Sequence, residues 1–254
     1  MVIGKMIYEN IYFYKNTKFI MSKIASQIPI FITARGNDKD TFERNKEALK
    51  FSYIYIREVN MFDQTYIISD NIDMIDYAKE LGFIHTIHYP CGNDKDVKYL
   101  EYLATYRYAV ENNYRPDWII LLNINQIFKF TSLLVDCINN IDDKYDVVTS
   151  YTEISDRSHF FIEESLKKKD GKFSDHHLLT SEHHRVQMQD AAIYGIKTSF
   201  AFECMDYDDP AEHFWSGKMK FFKNKSIYTD IYELNDIKKY YELNTYLSNA
   251  KDIL

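Results

Sequence analysis

Cysteine is scarce in this chain of 254 residues, and the three present, Cys91, Cys137 and Cys204, form no CxxC pair. That spacing excludes a disulfide framework and a zinc knuckle, and it fits a reducing compartment. Long apolar runs are also missing, so no segment approaches a membrane span. The first residues are interrupted by Lys5, Glu9, Lys15 and Lys18, which makes a poor secretion signal. Positive charge is not in excess. The formal net charge of −7 argues against a general nucleic-acid binder, although a local basic pocket for phosphates remains compatible with it. There is no internal repeat and no low-complexity tract. These absences point to a cytoplasmic protein that inserts in no membrane.

What is present suffices for a full core. Hydrophobic residues make up 46% of the chain, and the length fits one large domain or one domain with an insertion. Twenty-two tyrosines beside abundant Ile, Asn and Lys reflect codon bias rather than function. Residues 1–27 read as an N-terminal extension. Met21 followed by Ser-Lys is an alternative start that would make residues 1–20 peripheral.

The organising stretch is residues 28–45, IPIFITARGNDKDTFERN. A short β-prone run, Ile30 to Thr33, leads into Ala-Arg-Gly and a charged loop. A buried strand that delivers Arg and Lys to its carboxyl end is how α/β proteins meet nucleotide phosphates. A short helix is expected over residues 41–49 and a second strand over 64–69. Residues 72–81 carry helical spacing, with Gly82 as C-cap. A short strand at 84–88 then completes a βαβ signature. His85 and His88 lie three apart on that strand and face opposite sides, so they read as strand residues rather than metal ligands.

A long helix is expected over residues 97–112. WIILL, at 118–122, is the most apolar strand and belongs near the sheet centre. It ends in the amide-rich run Asn123-Ile124-Asn125-Gln126, where α/β folds place ligands. A helix over 131–141 and a strand over 146–150 follow. Residues 152–188 turn polar and read as an inserted lobe. Its His pairs, His176-His177 and His183-His184, lack zinc spacing. The core resumes with AAIYGI at 191–196. A loop rich in acids and aromatics is expected over 203–215, a strand over 228–232, and a closing helix from Ile237 with Asp236 as N-cap.

Five ordered blocks resemble the acylneuraminate cytidylyltransferases, which make CMP-sialic acid and related CMP-sugars. ARGNDKDTFERN at residues 34–45 is similar to their A-R-G-G-S-K-G-I-P-R-K-N, keeping Arg35, Gly36, Lys39 and Asn45, with Arg44 in place of a lysine. Ile68-Ser69-Asp70 before Met74 to Lys79 resembles S-T-D before E-I-A-x-x-A-K. LLNINQIFK at 121–129 lines up with L-L-Q-P-T-S-P-L-R, DAAIY at 190–194 with N-G-A-I-Y, and DIYELNDI at 230–237 with D-I-D-x-x-x-D-L.

The resemblance implies a three-layer, Rossmann-like nucleotide-diphospho-sugar transferase fold of GT-A type over residues 28–254. It implies a mainly parallel sheet and a homodimer formed through residues 152–188. It also implies transfer of CMP from CTP to a sugar acid or similar anionic acceptor, with release of pyrophosphate, for surface glycan synthesis. Arg35 and Lys39 would neutralise the triphosphate, and Gly36, Asn45, Ser69 and Asp70 would bind the nucleotide. Asn123, Asn125, Gln126 and Arg185 would contact the acceptor, and Asp230 would hold Mg²⁺ or Mn²⁺.

The departures are specific. Glycines of the first loop are replaced by Asn37 and Asp40, and one aspartate of D-I-D is missing, replaced by Tyr232 or, with the alignment shifted by two, by Tyr228. A carboxylate about 6 Å from a phosphate costs roughly 3 kcal/mol at an effective dielectric near 20. Asp38 and Asp40 therefore point to solvent, help hold metal, or mark a loop that takes no triphosphate. Two alternatives stand beside the transferase. One is a GT-A glycosyltransferase using Asp206-Tyr207-Asp208-Asp209 as its D-x-D; the other is a nucleotide-binding relative without turnover.

Overall fold

Unbroken apolar runs along short strands dictate a sheet covered on both faces, because successive side chains point to opposite sides. In the computed structural model the described residues are 28–89, 115–127, 129–154, 178–180, 186–207, 210–225 and 237. In β1 (Ile30–Thr33), Ile30 and Ile32 enter one core and Phe31 the other. β2 (Thr65–Ser69) splits Ile67 from Ile68, and β4 (Trp118–Leu122) splits Ile120 from Ile119, in the same way.

The first core is closed by α1 (Lys39–Val59), α2 (Ile72–Leu81) and α3 (Ser132–Asn140). The second is closed by α4 (Thr198–Met205) and α5 (Pro210–Ser216), through Phe200, Ala201, Cys204 and Phe214. The remaining strands are β3 (His85–His88), β5 (Val147–Ile154), β6 (Leu178–Thr180), β7 (Val186–Lys197) and β8 (Met219–Lys223). The sheet order is β3-β2-β1-β4-β7-β5-β8, with β6 on β7. Neighbours from β3 to β4 run parallel, as do β5 and β8, whereas β7 is antiparallel to β4 and β5. This is a three-layer, Rossmann-like α/β architecture with a mainly parallel sheet. WIILL occupies its central position.

The helix ends are chemically explicit. The Asn71 side chain accepts from the Asp73 and Met74 amides at the start of α2, and Gly82 closes it at φ 105°. α1 is far longer than the expected 41–49. Its apolar face continues through Ala48, Leu49, Ser52, Tyr55 and Ile56 at helical spacing, and it stops only where Asn60 adopts left-handed backbone at φ 56°. At α3, Thr131 makes no side-chain cap. The Leu134 amide instead donates to the buried Tyr55 hydroxyl at 3.2 Å, tying α1 to α3.

Two further expectations change. The stretch expected as a loop, 203–215, is largely helical: Phe200, Ala201 and Cys204 form a helical apolar face that carries α4 through Met205, and α5 begins at Pro210. β5 and β7 extend beyond 146–150 and 191–196, their pairing continuing from Tyr151 with Gln189 to Ile154 with Val186. The helix expected at 97–112 and the strand at 228–232 lie outside the described residues. So do most of the 152–188 lobe and, apart from the buried, helical Ile237, the closing helix. Among the described residues no helix is long and apolar enough to cross a membrane.

Candidate active site

Beyond Thr33 the chain stays with the sheet for one residue, the Ala34 amide donating to the Ile68 carbonyl at 2.8 Å, and then leaves at Arg35. Three side chains fasten the departing backbone. Asp70 Oδ1 accepts from the Gly36 amide at 2.8 Å, Asn71 Nδ2 donates to the Gly36 carbonyl at 2.9 Å, and Asn45 Nδ2 donates to the Arg35 carbonyl at 2.8 Å. The approach is close enough to require glycine. A Cβ on residue 36 would meet Asn71 Cβ at 2.8 Å and Phe42 Cδ2 at 3.0 Å.

The charged loop is shorter than the sequence suggests, because Asp38 is the N-cap of α1. Its Oδ1 accepts from the Thr41 amide at 2.9 Å and its Oδ2 from the Thr41 hydroxyl at 2.7 Å. Those bonds hold its carboxyl below the usual carboxylate range. Asp40 lies in the first helical turn, where an acid suits the helix dipole. Both acids are exposed, Asp38 as the cap and Asp40 in the first turn.

The result is a cleft of about 410 Å³ at the carboxyl ends of β1 and β4. One wall presents Arg35, Arg44 and Asn45. The other is the β4 end, Leu121 to Asn125, joined by Ala191 and Tyr194 of β7, with Phe31 and Thr33 between the walls. Among the described residues that line the cleft there is no carboxylate. Two guanidiniums facing a row of amides suit a polyanionic ligand with a hydroxylated partner.

The residues singled out in the sequence divide. Arg35, Asn45, Asn123 and Asn125 come together in the cleft. Gly36, Ser69 and Asp70 do not line it. Ser69 is fully buried and its Oγ accepts from the Asn71 amide at 3.1 Å, while Asp70 anchors Gly36. Lys39 opens α1 as an exposed residue outside the lining, and Gln126 lies beneath the far wall, 2% exposed. Arg185 and Asp230 are outside the described residues.

Arg44 was kept only as a substituted lysine, yet a helix from Lys39 puts Thr41, Arg44, Asn45 and Ala48 on one face. That spacing is a signal that it reaches the sheet. Asp206 C-caps α4 outside the cleft, and Asp208 and Asp209 are not among the described residues.

The far wall rests on buried polar chemistry. The Asn123 carbonyl oxygen of the side chain accepts from the Asn125 amide at 2.9 Å, and the Asn123 amide donates to the Ala192 carbonyl at 3.1 Å. Asn125 Oδ1 is buried with no hydrogen-bond partner among the described residues. Lys129, 7% exposed, donates to the Gln126 carbonyl, and burial pulls its ammonium down to about 7. A Mg²⁺ site does not emerge: among the described residues no three His, Cys, Asp or Glu cluster to hold one.

No family model and no curated protein sequence matches the chain. Solved structures do match, at identities that speak for the fold. CMP:2-keto-3-deoxy-manno-octonic acid synthetase, complexed with CTP, is 14% identical with a TM-score of 0.56, covering 86% of this chain and 98% of its own. HddC from Yersinia pseudotuberculosis, complexed with GMP-PN, is 12% identical with a TM-score of 0.54, over 84% and 97%. The bifunctional IspDF from Campylobacter jejuni is 15% identical with a TM-score of 0.54, over 84% of this chain and 54% of its own. The chain thus spans about half the length of that bifunctional protein.

Proposed function

We propose that the chain is a nucleotidyltransferase which moves CMP from CTP to an anionic, hydroxylated acceptor, a sugar acid being the first class to test. The observation that carries this reading is the pairing of Arg35 and Arg44 in one cleft at the carboxyl ends of β1 and β4, with amides on the facing wall. Two fold neighbours are complexes, with CTP in one case and GMP-PN in the other, which supports a nucleotide in the equivalent cleft and leaves the base to experiment.

In the proposed reaction an acceptor hydroxyl oxygen attacks the α-phosphorus. The new P–O bond forms as the bond to the β-phosphate bridge breaks, pyrophosphate leaves with the electron pair, and the hydroxyl proton passes to water. Such transfer depends on positioning and charge neutralisation. Arg35 and Arg44 would carry the neutralisation, with Arg35 held through its own carbonyl by Asn45. Lys39, as an exposed first-turn residue, would act only at the rim of the site. Asn123 and Asn125 would orient the acceptor from the far wall, and Arg185 would meet its acidic group. Asp230 is the residue proposed to hold Mg²⁺ or Mn²⁺, which would add to the neutralisation of the phosphate charge. A homodimer through residues 152–188, a cytoplasmic location and a role in surface glycan synthesis belong to the same proposal.

The test is pyrophosphate release on incubation with each of the four nucleoside triphosphates, Mg²⁺ or Mn²⁺ and a panel of sugar acids. CTP-dependent release that needs an acceptor supports the reading. Failure of every triphosphate to bind removes it.

A further inference from the structure

The far wall of the cleft is built on an irregularity that the pairing of β5 and β7 makes plain. Thr149 pairs with Tyr194 and Tyr151 with Gln189, so a step of two residues on β5 faces a step of five on β7. Ser150 alone opposes the four residues Asp190, Ala191, Ala192 and Ile193. A bulge of this size re-aims the strand, and such bulges collect beside functional sites. Within it Ala191 sits at φ 50°, left-handed backbone that an alanine does not choose unaided. Ala191 lines the cleft, and the Ala192 carbonyl takes the Asn123 amide, so the bulge and the β4-end turn form one surface.

One buried carboxylate holds this arrangement. Asp190 is 3% exposed. Its Oδ1 accepts from the Ser150 hydroxyl, the single residue opposite, and from the Ala192 amide at 3.1 Å across the bulge. Its Oδ2 accepts from Asn224 Nδ2 at 2.8 Å, just beyond β8, and its backbone carbonyl takes Gln126 Nε2 at 3.4 Å. Gln126 in turn accepts from the buried Lys129. A carboxylate so buried is tolerated because its lone pairs are met by donors on three sides. None of these atoms belongs to the arginine wall.

We propose that Asp190 is the positioning residue of the acceptor side of the cleft, holding the bulge that presents Ala191, Asn123 and Asn125 to the second substrate. The inference rests on the nucleotidyl-transfer reading and adds to it that acceptor recognition and nucleotide recognition are built on separate supports. Asp190 acts through shape. One oxygen serves Ser150 and the Ala192 amide together, so an asparagine can keep that pair while Asn224 turns its own amide over.

The test has two arms. In pyrophosphate-release kinetics with CTP, using 2-keto-3-deoxy-manno-octonic acid and N-acetylneuraminic acid as probes, Asp190→Ala raises the acceptor KM about ten-fold while CTP affinity by calorimetry stays within about two-fold. Asp190→Asn recovers to within about three-fold of the parent, and Ser150→Ala gives the same split at smaller size if the alanine variant at 190 does not fold. Equal losses toward CTP and acceptor, an unchanged acceptor KM, or an asparagine variant as impaired as the alanine variant would overturn the proposal. The second arm needs no turnover. In hydrogen exchange, amides of 123–127 and 188–196 open about ten-fold faster in Asp190→Ala or Ser150→Ala, with 30–45 unchanged; uniform or absent change overturns the positioning role. A parent protein that binds no CTP defeats the nucleotidyl-transfer reading, while the exchange arm still decides the role of Asp190.

Discussion

The two walls of the cleft are built by opposite strategies. In the arginine wall the charged residues themselves stand close in sequence: Arg35 is held by Asn45, ten positions on, and α1 supplies Arg44 directly, while the distant Asp70 and Asn71 pin only the intervening Gly36. The amide wall hangs on distant partners. Ser150 and Asp190 are 40 positions apart, and Asp190 and Asn224 are 34 apart. The first wall places charge by local chain geometry, and the second places neutral hydrogen-bonding groups by a buried carboxylate shared among three strands. Charge can be delivered by a loop, but shape has to be enforced by the sheet.

Breaking the arginine wall has the largest expected effect. Arg35→Ala or Arg44→Ala should cut pyrophosphate release by about 100-fold or more in kcat/KM, on the scale of losing a preorganised charge-stabilising donor. Lys39→Ala should cost far less. Equal losses at 35 and 39 would place the triphosphate over the helix start instead.

The support of the amide wall is sharpened by pH. The folded state holds the Lys129 ammonium near 7 against 10.5 for an ordinary lysine, so the unfolded chain carries the extra proton between those values. Parent stability should therefore rise with pH across that window, by up to about 1.4 kcal/mol per pH unit from this group. Lys129→Met should lack that rise, being more stable than the parent at pH 7 and losing the advantage toward pH 10. Parallel denaturation profiles for the two proteins would contradict the burial of Lys129.

Next in size is Gly36→Ala. Its methyl group has no room beside Asn71 and Phe42, and overpacking of this kind costs about 1–3 kcal/mol. Urea denaturation measures that loss, and CTP binding should weaken with it. Ala191→Gly probes the other wall with the opposite sign. It relieves about 1–2 kcal/mol of left-handed strain, partly offset by the greater freedom of glycine in the unfolded chain. A net gain of up to about 1 kcal/mol is expected, and a loss would mean the bulge differs from the one described.

The smallest effect belongs to Asp38→Ala. Its carboxyl is held below 3.8, so its cap strengthens the fold above that pH and is lost as pH falls through the lower folded value. The variant should be slightly less stable than the parent at pH 7 and equal to it in strong acid, as thermal melts at both pH values would show.

The same contrast explains what could be read from the chain alone. β1, β4 and α2 carry their own instructions: an unbroken apolar run, or an Asn71 cap and a Gly82 stop at helical distance. The approach of Arg35, Asn123 and Asn125 followed from strand ends in a parallel sheet, and that of Asn45 from the family resemblance. Ser69 and Asp70 were placed in the right loop, but their partners were not foreseeable, because only the folded turn shows Asp70 spent on the Gly36 amide. α1 outran its expected end because Ser52 and Tyr55 are not read as apolar until their burial is seen. The bulge at 190–193 was invisible for a plainer reason. An alternating sequence cannot announce which residue will leave the ladder when the cause is a carboxylate bonded to two other strands.

Calorimetric titration of CTP into the parent and into the Arg35→Ala/Arg44→Ala double variant tests the central claim most directly. The account predicts saturable binding to the parent that the double variant loses, with the fold of both intact by circular dichroism. Binding that survives in the folded double variant, or no binding to the parent, would contradict it.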